Sequence, residues 1–240
     1  MIDVHAHILP GYDDGAQQMS DALIMAEMAA DSGVTGIAAT PHVLDDRIPD
    51  PAALHTAFAA LRFALDDCAI PVELYSGMEI MATEKTPSLL AAGKLLTLNG
   101  SRYPLLEFGF SETAAHMEKI LYALQAEGFI PILAHPERYY SLQDMPQRAM
   151  RMAENGILLQ LDKDSILGKM EKNAVRCAHM LLSERCVHAV ASDAHRPNYR
   201  TTRLNRAQEY TALHYSFEAA YLLFEENPYS IVHDLPVKSL

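Results

Sequence analysis

The chain has 240 residues, is 50% hydrophobic and carries a formal charge of −12, from 19 basic and 31 acidic side chains. That length and apolar content suit one large core, so 1–240 is expected to be a single domain. The negative charge repels phosphate backbones and anionic lipid surfaces, which excludes nucleic-acid binding as a main task.

In chain order, short apolar runs alternate with helix-periodic stretches, the pattern of βα units around a largely parallel sheet. Ile2 to Val4 is the first strand candidate, and Ser20 can cap a helix ending near Gly33. Val34 to Thr40 follows, then a helix from Pro51 to Asp67, then strands Val72 to Gly77 and Pro104 to Leu106. Glu112 to Gly128 reads as a helix, Phe129 to Ala134 as a strand, Pro146 to Asn155 as a helix and Ile157 to Leu161 as a strand. Lys172 to Arg185, strand Val187 to Ala191 and a last helix Leu204 to Asn227 complete the series, with Pro228 as its stop signal. Nothing in composition marks an internal boundary, and no repeat exceeds the βα alternation itself.

No apolar run approaches the ~20 residues needed to cross a bilayer. Asp3, His5 and His7 stand where a secretory leader is basic and then apolar, so the mature chain is expected to begin at Met1, with no direct membrane insertion. Cys68, Cys177 and Cys186 are an odd number without CxxC spacing. They suggest neither a disulfide framework nor a thiolate metal site, and a reducing cytoplasm is the expected location.

The informative observation is where metal-type side chains fall. His5 and His7, His42, Glu79, Glu107, His135, then Asp193 and His195 each lie at or just past the end of a strand candidate. In a parallel barrel the strand C-termini converge on one face, so such residues meet around one cavity. The strand with Gln160 and Asp162 supplies no obvious ligand. His5 and His7 share a strand face by the two-residue period, and Asp193 and His195 repeat that spacing. An HxH pair alone is as readily a solvated strand face. The full set is another matter, because burying that many ionisable groups together costs several kcal/mol per charge unless cations compensate. Nitrogen and carboxylate donors without thiolate favour zinc, manganese, iron or a similar divalent ion. In the turn Leu9 to Gly15, both Asp13 and Asp14 lie near the cluster, and Asp14 is the preferred additional ligand.

Arg138, directly after His135-Pro-Glu, brings a guanidinium to the same rim, suited to bidentate gripping of a phosphoryl group. Arg196 to Arg206 holds four arginines, of which most are expected to be solvated and one to touch substrate. His55, His116, His179, His188, His214 and His233 read as structural or surface residues, and the methionines as core filler. No nucleophile elbow, Walker loop or dinucleotide-binding glycine fingerprint stands between a strand and a helix, which disfavours covalent catalysis.

The segments Ile2-Asp-Val-His-Ala-His-Ile-Leu-Pro-Gly-Tyr-Asp-Asp-Gly15, Ala39-Thr-Pro-His42, Gly77-Met-Glu79, Ala134-His-Pro-Glu-Arg138 and Ala191-Ser-Asp-Ala-His195, in this order, resemble the PHP (polymerase and histidinol phosphatase) family. Glu107, where many PHP relatives have histidine, makes the chain similar to the capsule-type bacterial protein-tyrosine phosphatases of that family.

The resemblance implies an α/β fold, a distorted TIM-like (β/α)7 barrel, and three divalent ions, manganese first with iron, zinc or magnesium as alternatives. By the same resemblance His5, His7, Glu79 and Asp193 would hold one ion, Glu79 with Glu107 and His135 a second, and Asp14, His42 and His195 a third. Arg138 and Arg203 match the family's phosphate-orienting arginines, although Asn205-Arg206 departs from the aromatic-histidine pair usual in this branch. Four carboxylates against three divalent ions leave about +2, enough to accept a phosphate dianion despite the acidic surface.

The implied reaction is hydrolysis of phosphotyrosine on a bacterial tyrosine autokinase that controls capsule or exopolysaccharide synthesis, by a metal-bridging hydroxide and without a phosphoenzyme. Rival readings are a small-molecule phosphatase such as histidinol-phosphate phosphatase, and a non-catalytic regulatory PHP protein. A metal-dependent amidohydrolase is a further rival, which commonly adds a strand-end lysine ligand not apparent here.

Overall fold

The apolar runs become short parallel strands, described here from a computed structural model that covers residues 1–44 and 47–240. They are β1 (Ile2–Ala6), β2 (Gly36–Ala39), β3 (His42–Val43), β4 (Glu73–Ser76), β5 (Glu79–Met81), β6 (Leu105–Glu107), β7 (Ile132–Ala134), β8 (Leu158–Asp162) and β9 (Ala189–Ala191). The hydrogen-bonded order is β1-β2-β4 in one sheet and β3-β5-β6-β7-β8-β9 in the other, every pairing parallel.

The two sheets are parts of one ring. β2 and β3 are halves of a single stave broken at Thr40-Pro41, where proline has no N–H for the ladder. β4 and β5 are halves of another, broken at Gly77. A Cβ on Gly77 would lie 2.8 Å from a Leu98 methyl, so the kink depends on glycine. A parallel bridge between Ala6 and Ala194 brings β1 back to the chain leaving β9. Buried Asp3 reinforces that closure by accepting the Ser192 N–H at 3.0 Å. Seven staves result, a distorted (β/α)7 barrel.

The two-residue strand period sorts side chains by face. Leu106, Leu133, Leu159, Leu161 and Val190 pack outward with helix residues such as Leu61, Met117, Leu121 and Leu181. Leu105, Ile132, Ala134, Leu158, Ala189 and Ala191 fill a second apolar cluster on the alternate face. Toward the strand C-termini that alternate face turns polar, with Glu107, Gln160 and Asp162, all buried. Apolar burial over most of the barrel thus positions one polar end, where the strand termini meet.

The helices Met19–Asp31, Pro51–Asp67, Ala114–Ala126, Pro146–Glu154 and Lys172–Ser183 match the expected ones within a few residues. Asp50 caps the second by accepting the Ala53 N–H at 3.2 Å, with Pro51 in the first turn. The C-terminal region differs from the single helix expected over Leu204 to Asn227. Asn205–His214 ends before Ser216, which caps a new helix, Phe217–Tyr221, through the Ala219 N–H. A π-helical turn, Leu222–Glu226, then leads into Asn227–Val232. Pro228 sits in the first turn of that last helix, where no N–H is required, so it does not stop the chain's helical course. Among the described residues, no helix is long and apolar enough to cross a membrane.

Candidate metal centre

The strand termini deliver the metal-type side chains to one cup. His5 lies on β1 and His7 just beyond it, His42 opens β3, Glu79 opens β5, Glu107 ends β6, and His135 follows β7. Asp193 and His195 follow β9. His135 and Asp193 both adopt left-handed backbone, with φ of 36° and 47°. For residues with a Cβ that conformation costs on the order of 1–3 kcal/mol, a cost that functional sites commonly carry.

Glu79 is the hub. Its Oε2 lies 3.1 Å from His5 Nε2, 3.3 Å from His7 Nε2 and 3.0 Å from His42 Nδ1, and its Oε1 is 2.8 Å from His135 Nε2. Asp193 Oδ1 stands 3.6 Å from His5 Nε2 and 3.2 Å from His7 Nε2. Glu107 Oε1 is 2.7 Å from His42 Nδ1. Asp14 Oδ1 approaches His42 Nε2 at 3.7 Å and His195 Nε2 at 3.6 Å.

Outer contacts fix which nitrogen each imidazole turns inward. His5 Nδ1–H donates to Gln160 Oε1 at 2.8 Å and His7 Nδ1–H to Asp13 Oδ2 at 2.7 Å, so both Nε2 atoms face the cup. Those two Nε2 atoms are 3.2 Å apart, close enough to need a proton or a cation between them. His195 Nδ1–H donates to the Asp193 carbonyl at 3.0 Å, turning its Nε2 inward as well. Asp13 also accepts the backbone N–H of His42 at 2.9 Å and of Gly15 at 2.9 Å, which saturates it and leaves Asp14 as the free carboxylate of the turn. Gly15 permits this turn by close approach, since a Cβ there would sit 2.1 Å from the His7 carbonyl oxygen.

This donor set fits divalent cations. Converging lone pairs repel unless an electrophile lies between them, and buried Glu79 Oε2, His42 Nδ1 and His135 Nδ1 lack an aligned hydrogen-bond partner. Among the described residues, three groups bring donor atoms within 4.8 Å of one another: His5, His7 and Asp193; His42, Glu79 and Glu107; and His7, Asp14, His42 and His195. The number of groups equals the number of ions that the resemblance implies, but membership differs. His42 stands with Glu107 where His135 was expected, and His7 reaches two groups.

Electrostatics tell the same story. Burial would raise the Glu79 carboxyl, but His5, His135 and His42 around it hold it well below the usual carboxylate range. Burial would lower His7 and His42; the bonds from Asp13 and Glu79 to the one, and from Glu107 and Glu79 to the other, outweigh it and carry them to about 9 and about 10. Burial, aided by positive His7, pushes His195 down to about 3. With only the protein's own groups, protons on His7 and His42 balance the acids.

A stability prediction follows. Groups raised above their unfolded value of about 6.5 stabilise fully below that pH and lose the effect as pH climbs through the folded value. His195, being lowered, contributes no slope above pH ~6.5. Chelated protein should therefore lose thermal stability from pH 7 toward 10, while protein with added Mn2+ should not, because ions replace the protons. Melting temperatures across that range, with and without chelator, decide it; a flat profile for chelated protein contradicts the reading.

The cup opens into a cavity of about 450 Å3, lined by Asp14, His42, Glu79, Glu107, His135, Asp193 and His195, with Leu44, Met81 and Phe110 on its apolar side. Two guanidiniums also line it, Arg138 and Arg200. Arg138 donates to Asp193 Oδ2 at 3.0 Å and to Asp162 Oδ2 at 3.4 Å, and it lies 4.6 Å over the Phe110 ring. Arg200 Nη2 touches the same Asp193 oxygen, without the alignment of a hydrogen bond.

Arg203 is placed elsewhere, which corrects the expectation for it. Its guanidinium is 3.6 Å from Asp31, its side chain is 45% exposed, and it lines a neighbouring cavity. The chain turns between the two positions, with Thr202 buried and its hydroxyl donating to the Met25 carbonyl, so residue 203 lines the neighbouring cavity and not the cup. Arg200 belongs to the run of four arginines visible in sequence, but spacing does not single it out, since Arg196 stands nearer to His195. Asp13 and Gln160, which orient His7 and His5, carried no sequence signal as positioning residues. A strand-end lysine also exists: Lys163 directly follows β8, although its ammonium turns to Asp164 and the Ser192 carbonyl, 3.4 and 3.5 Å away, rather than to Glu79.

Known proteins share this frame. The chain is 34% identical to the tyrosine-protein phosphatase YwqE of Bacillus subtilis over 226 residues, 94% of this chain and 89% of that protein. It is 28% identical to the tyrosine-protein phosphatase CpsB of Streptococcus pneumoniae, across 98% of this chain and 99% of that one. A crystal structure from the description of YwqE and CpsB as unique metal-dependent tyrosine phosphatases superposes with a TM-score of 0.94 at 32% identity, covering 100% of this chain and 97% of that chain. Residues 1–233 match the family described as capsular polysaccharide synthesis, CpsB/CapC, and the chain belongs to that family.

Proposed function

We propose that this protein is a metal-dependent protein-tyrosine phosphatase, and that its physiological substrate is phosphotyrosine on a bacterial tyrosine autokinase governing capsule or exopolysaccharide synthesis. Membership of the CpsB/CapC family supports the reaction, and one structural observation carries it for this chain. Glu79 and the imidazoles around it form a cation-demanding cup with two guanidiniums on its rim.

His5, His7, Asp14, His42, Glu79, Glu107, His135, Asp193 and His195 would hold three divalent ions, with manganese the proposed metal. Bound there, such ions supply Lewis acidity, polarising phosphoryl oxygens and acidifying water. Arg138 and Arg200 grip the non-bridging phosphoryl oxygens, exchanging part of their hold on Asp193 for the substrate. Phe110 restrains the Arg138 guanidinium by stacking and, with Leu44 and Met81, offers an apolar wall to the aryl ring. A phenolate leaving group of pKa ~10 needs little acid assistance, consistent with the lack of an obvious general acid.

No thiol serves the reaction: Cys177 and Cys186 are pushed up to about 12 by burial, and exposed Cys68 lies on the outer end of the helix Pro51–Asp67. These unpaired cysteines support a cytoplasmic setting. The test is phosphatase activity before and after chelation and thiol alkylation, on a phosphotyrosine peptide and on histidinol phosphate. Expected are loss with chelator, recovery with Mn2+, indifference to iodoacetamide, and preference for the peptide. Activity that survives chelation, or a strong preference for histidinol phosphate, overturns the proposal.

A further inference from the structure

Beside the cup lies a second cavity, of about 370 Å3, in which the acidic character of the chain is locally reversed. Lys163 is one wall, nearly fully buried, and Lys169, Arg203 and Arg206 stand exposed around it. Asp164 pairs with both lysines, and Asp31 lies 3.6 Å from Arg203, so four cations face two carboxylates and positive charge remains. The helix Asn205–His214 begins at the same place, and its first turn has no side-chain cap. Its free N–H groups add to the positive potential there. Asp164 Oδ2 at 3.4 Å and the Ser192 carbonyl at 3.5 Å hold the Lys163 ammonium only loosely, which leaves its three-donor head with capacity for a further anion.

The cavity shares its walls with the cup. Arg200 lines one side and Thr201 the other, and Lys163 contacts the carbonyl of Ser192, which adjoins Asp193. Adjacent residues thus line the two cavities, which puts the second one within reach of residues flanking a phosphotyrosine held in the cup. In a chain of net charge −12, four clustered cations next to the cup reverse the sign of the average surface and attract anionic groups.

We propose that this cavity binds an anionic side chain, carboxylate or phosphoryl, flanking the phosphotyrosine, and so selects phosphoprotein segments that are acidic near the target tyrosine. The inference rests on the phosphatase reading of the cup and names its substrate class. The assay compares two phosphotyrosine peptides, one flanked by glutamates and one by glutamines, with phenyl phosphate, which is too small to reach the second cavity. Anisotropy of the labelled peptides reports binding independently of turnover.

Wild-type protein should bind and turn over the glutamate peptide better, against the sign expected from its overall charge, and the advantage should shrink at high salt. The exposed pair Lys169→Gln with Arg206→Gln should lower affinity and kcat/KM for the glutamate peptide by about fivefold, the scale of two partly exposed ion pairs, and leave phenyl phosphate unchanged. Charge reversal with Lys169→Glu and Arg206→Glu should make the glutamine peptide the better ligand. Equal binding of the two peptides by wild type, or equal losses on all three substrates in the variants, overturns the proposal. Failure to hydrolyse phenyl phosphate overturns the phosphatase reading instead, and the anisotropy ratio still decides the cavity.

Discussion

Glu79→Gln is expected to lower phosphotyrosine hydrolysis by about a thousandfold and to reduce the divalent metal retained after purification. The side chain keeps its size, so the change removes charge and little else. Its two oxygens meet His5, His7, His42 and His135 within 3.3 Å, a reach that no other acid among the described residues of the cup has. Transition-state stabilisation by bound ions is worth several kcal/mol, and each ~1.4 kcal/mol is a decade of rate, so disturbing ions that share one carboxylate costs about three decades. Turnover of a phosphotyrosine peptide together with metal content of the same preparation measures both effects. A variant with full metal and a loss below tenfold would contradict the hub role.

Arg200→Ala is expected to cost about a hundredfold in kcat/KM, and Arg203→Ala to leave hydrolysis of phenyl phosphate within about threefold of wild type. Charge-assisted hydrogen bonds of about 1.5–3 kcal/mol set the first figure, and an exposed ion pair worth at most ~1 kcal/mol the second. The contrast follows from position, because Arg200 reaches Asp193 inside the cup while Arg203 faces Asp31 on the exterior. Arg200→Lys should recover only part of the loss, since a single ammonium cannot grip two oxygens as a guanidinium does. Inactivity of Arg203→Ala with normal activity of Arg200→Ala would reverse the assignment.

The ligand cup was legible in sequence because metal chemistry restricts the residue types and a parallel barrel restricts where they fall. His5 with His7, and Asp193 with His195, stand out by a spacing of two, and the apolar runs before them mark strand ends. The seven staves were legible for the same reason. That two staves are broken was not, because a strand ladder tolerates Pro41 or Gly77 only through a kink whose geometry depends on neighbours such as Leu98. The C-terminal helix was misread because periodicity continues across Tyr215-Ser216, while Ser216 acts as a cap only through a local hydrogen bond.

The assignment of Arg203 failed for a related reason. In an irregular segment, three residues of spacing carry no fixed direction, so which arginine enters the cup depends on the burial of Thr202 and the turn beyond His195. Positioning residues are harder still. Asp13 and Gln160 are ordinary polar residues until the partner imidazole is known, and their value lies in the tautomer they impose. Gln160→Ala and Asp13→Ala should each weaken metal binding by about 10–100-fold, with titration of chelated protein as the measurement. Unchanged affinity in both would argue that the imidazoles orient without them.

The proposed metal centre places divalent cations between imidazoles and acids from separate staves, at the barrel's polar end. Anomalous diffraction from crystals grown with Mn2+ addresses it directly. Strong peaks are expected inside the cup, within bonding distance of Glu79 and of nitrogens from His5, His7 and His42. A Mn2+-containing crystal with no peak there, or with peaks only at other sites, contradicts it.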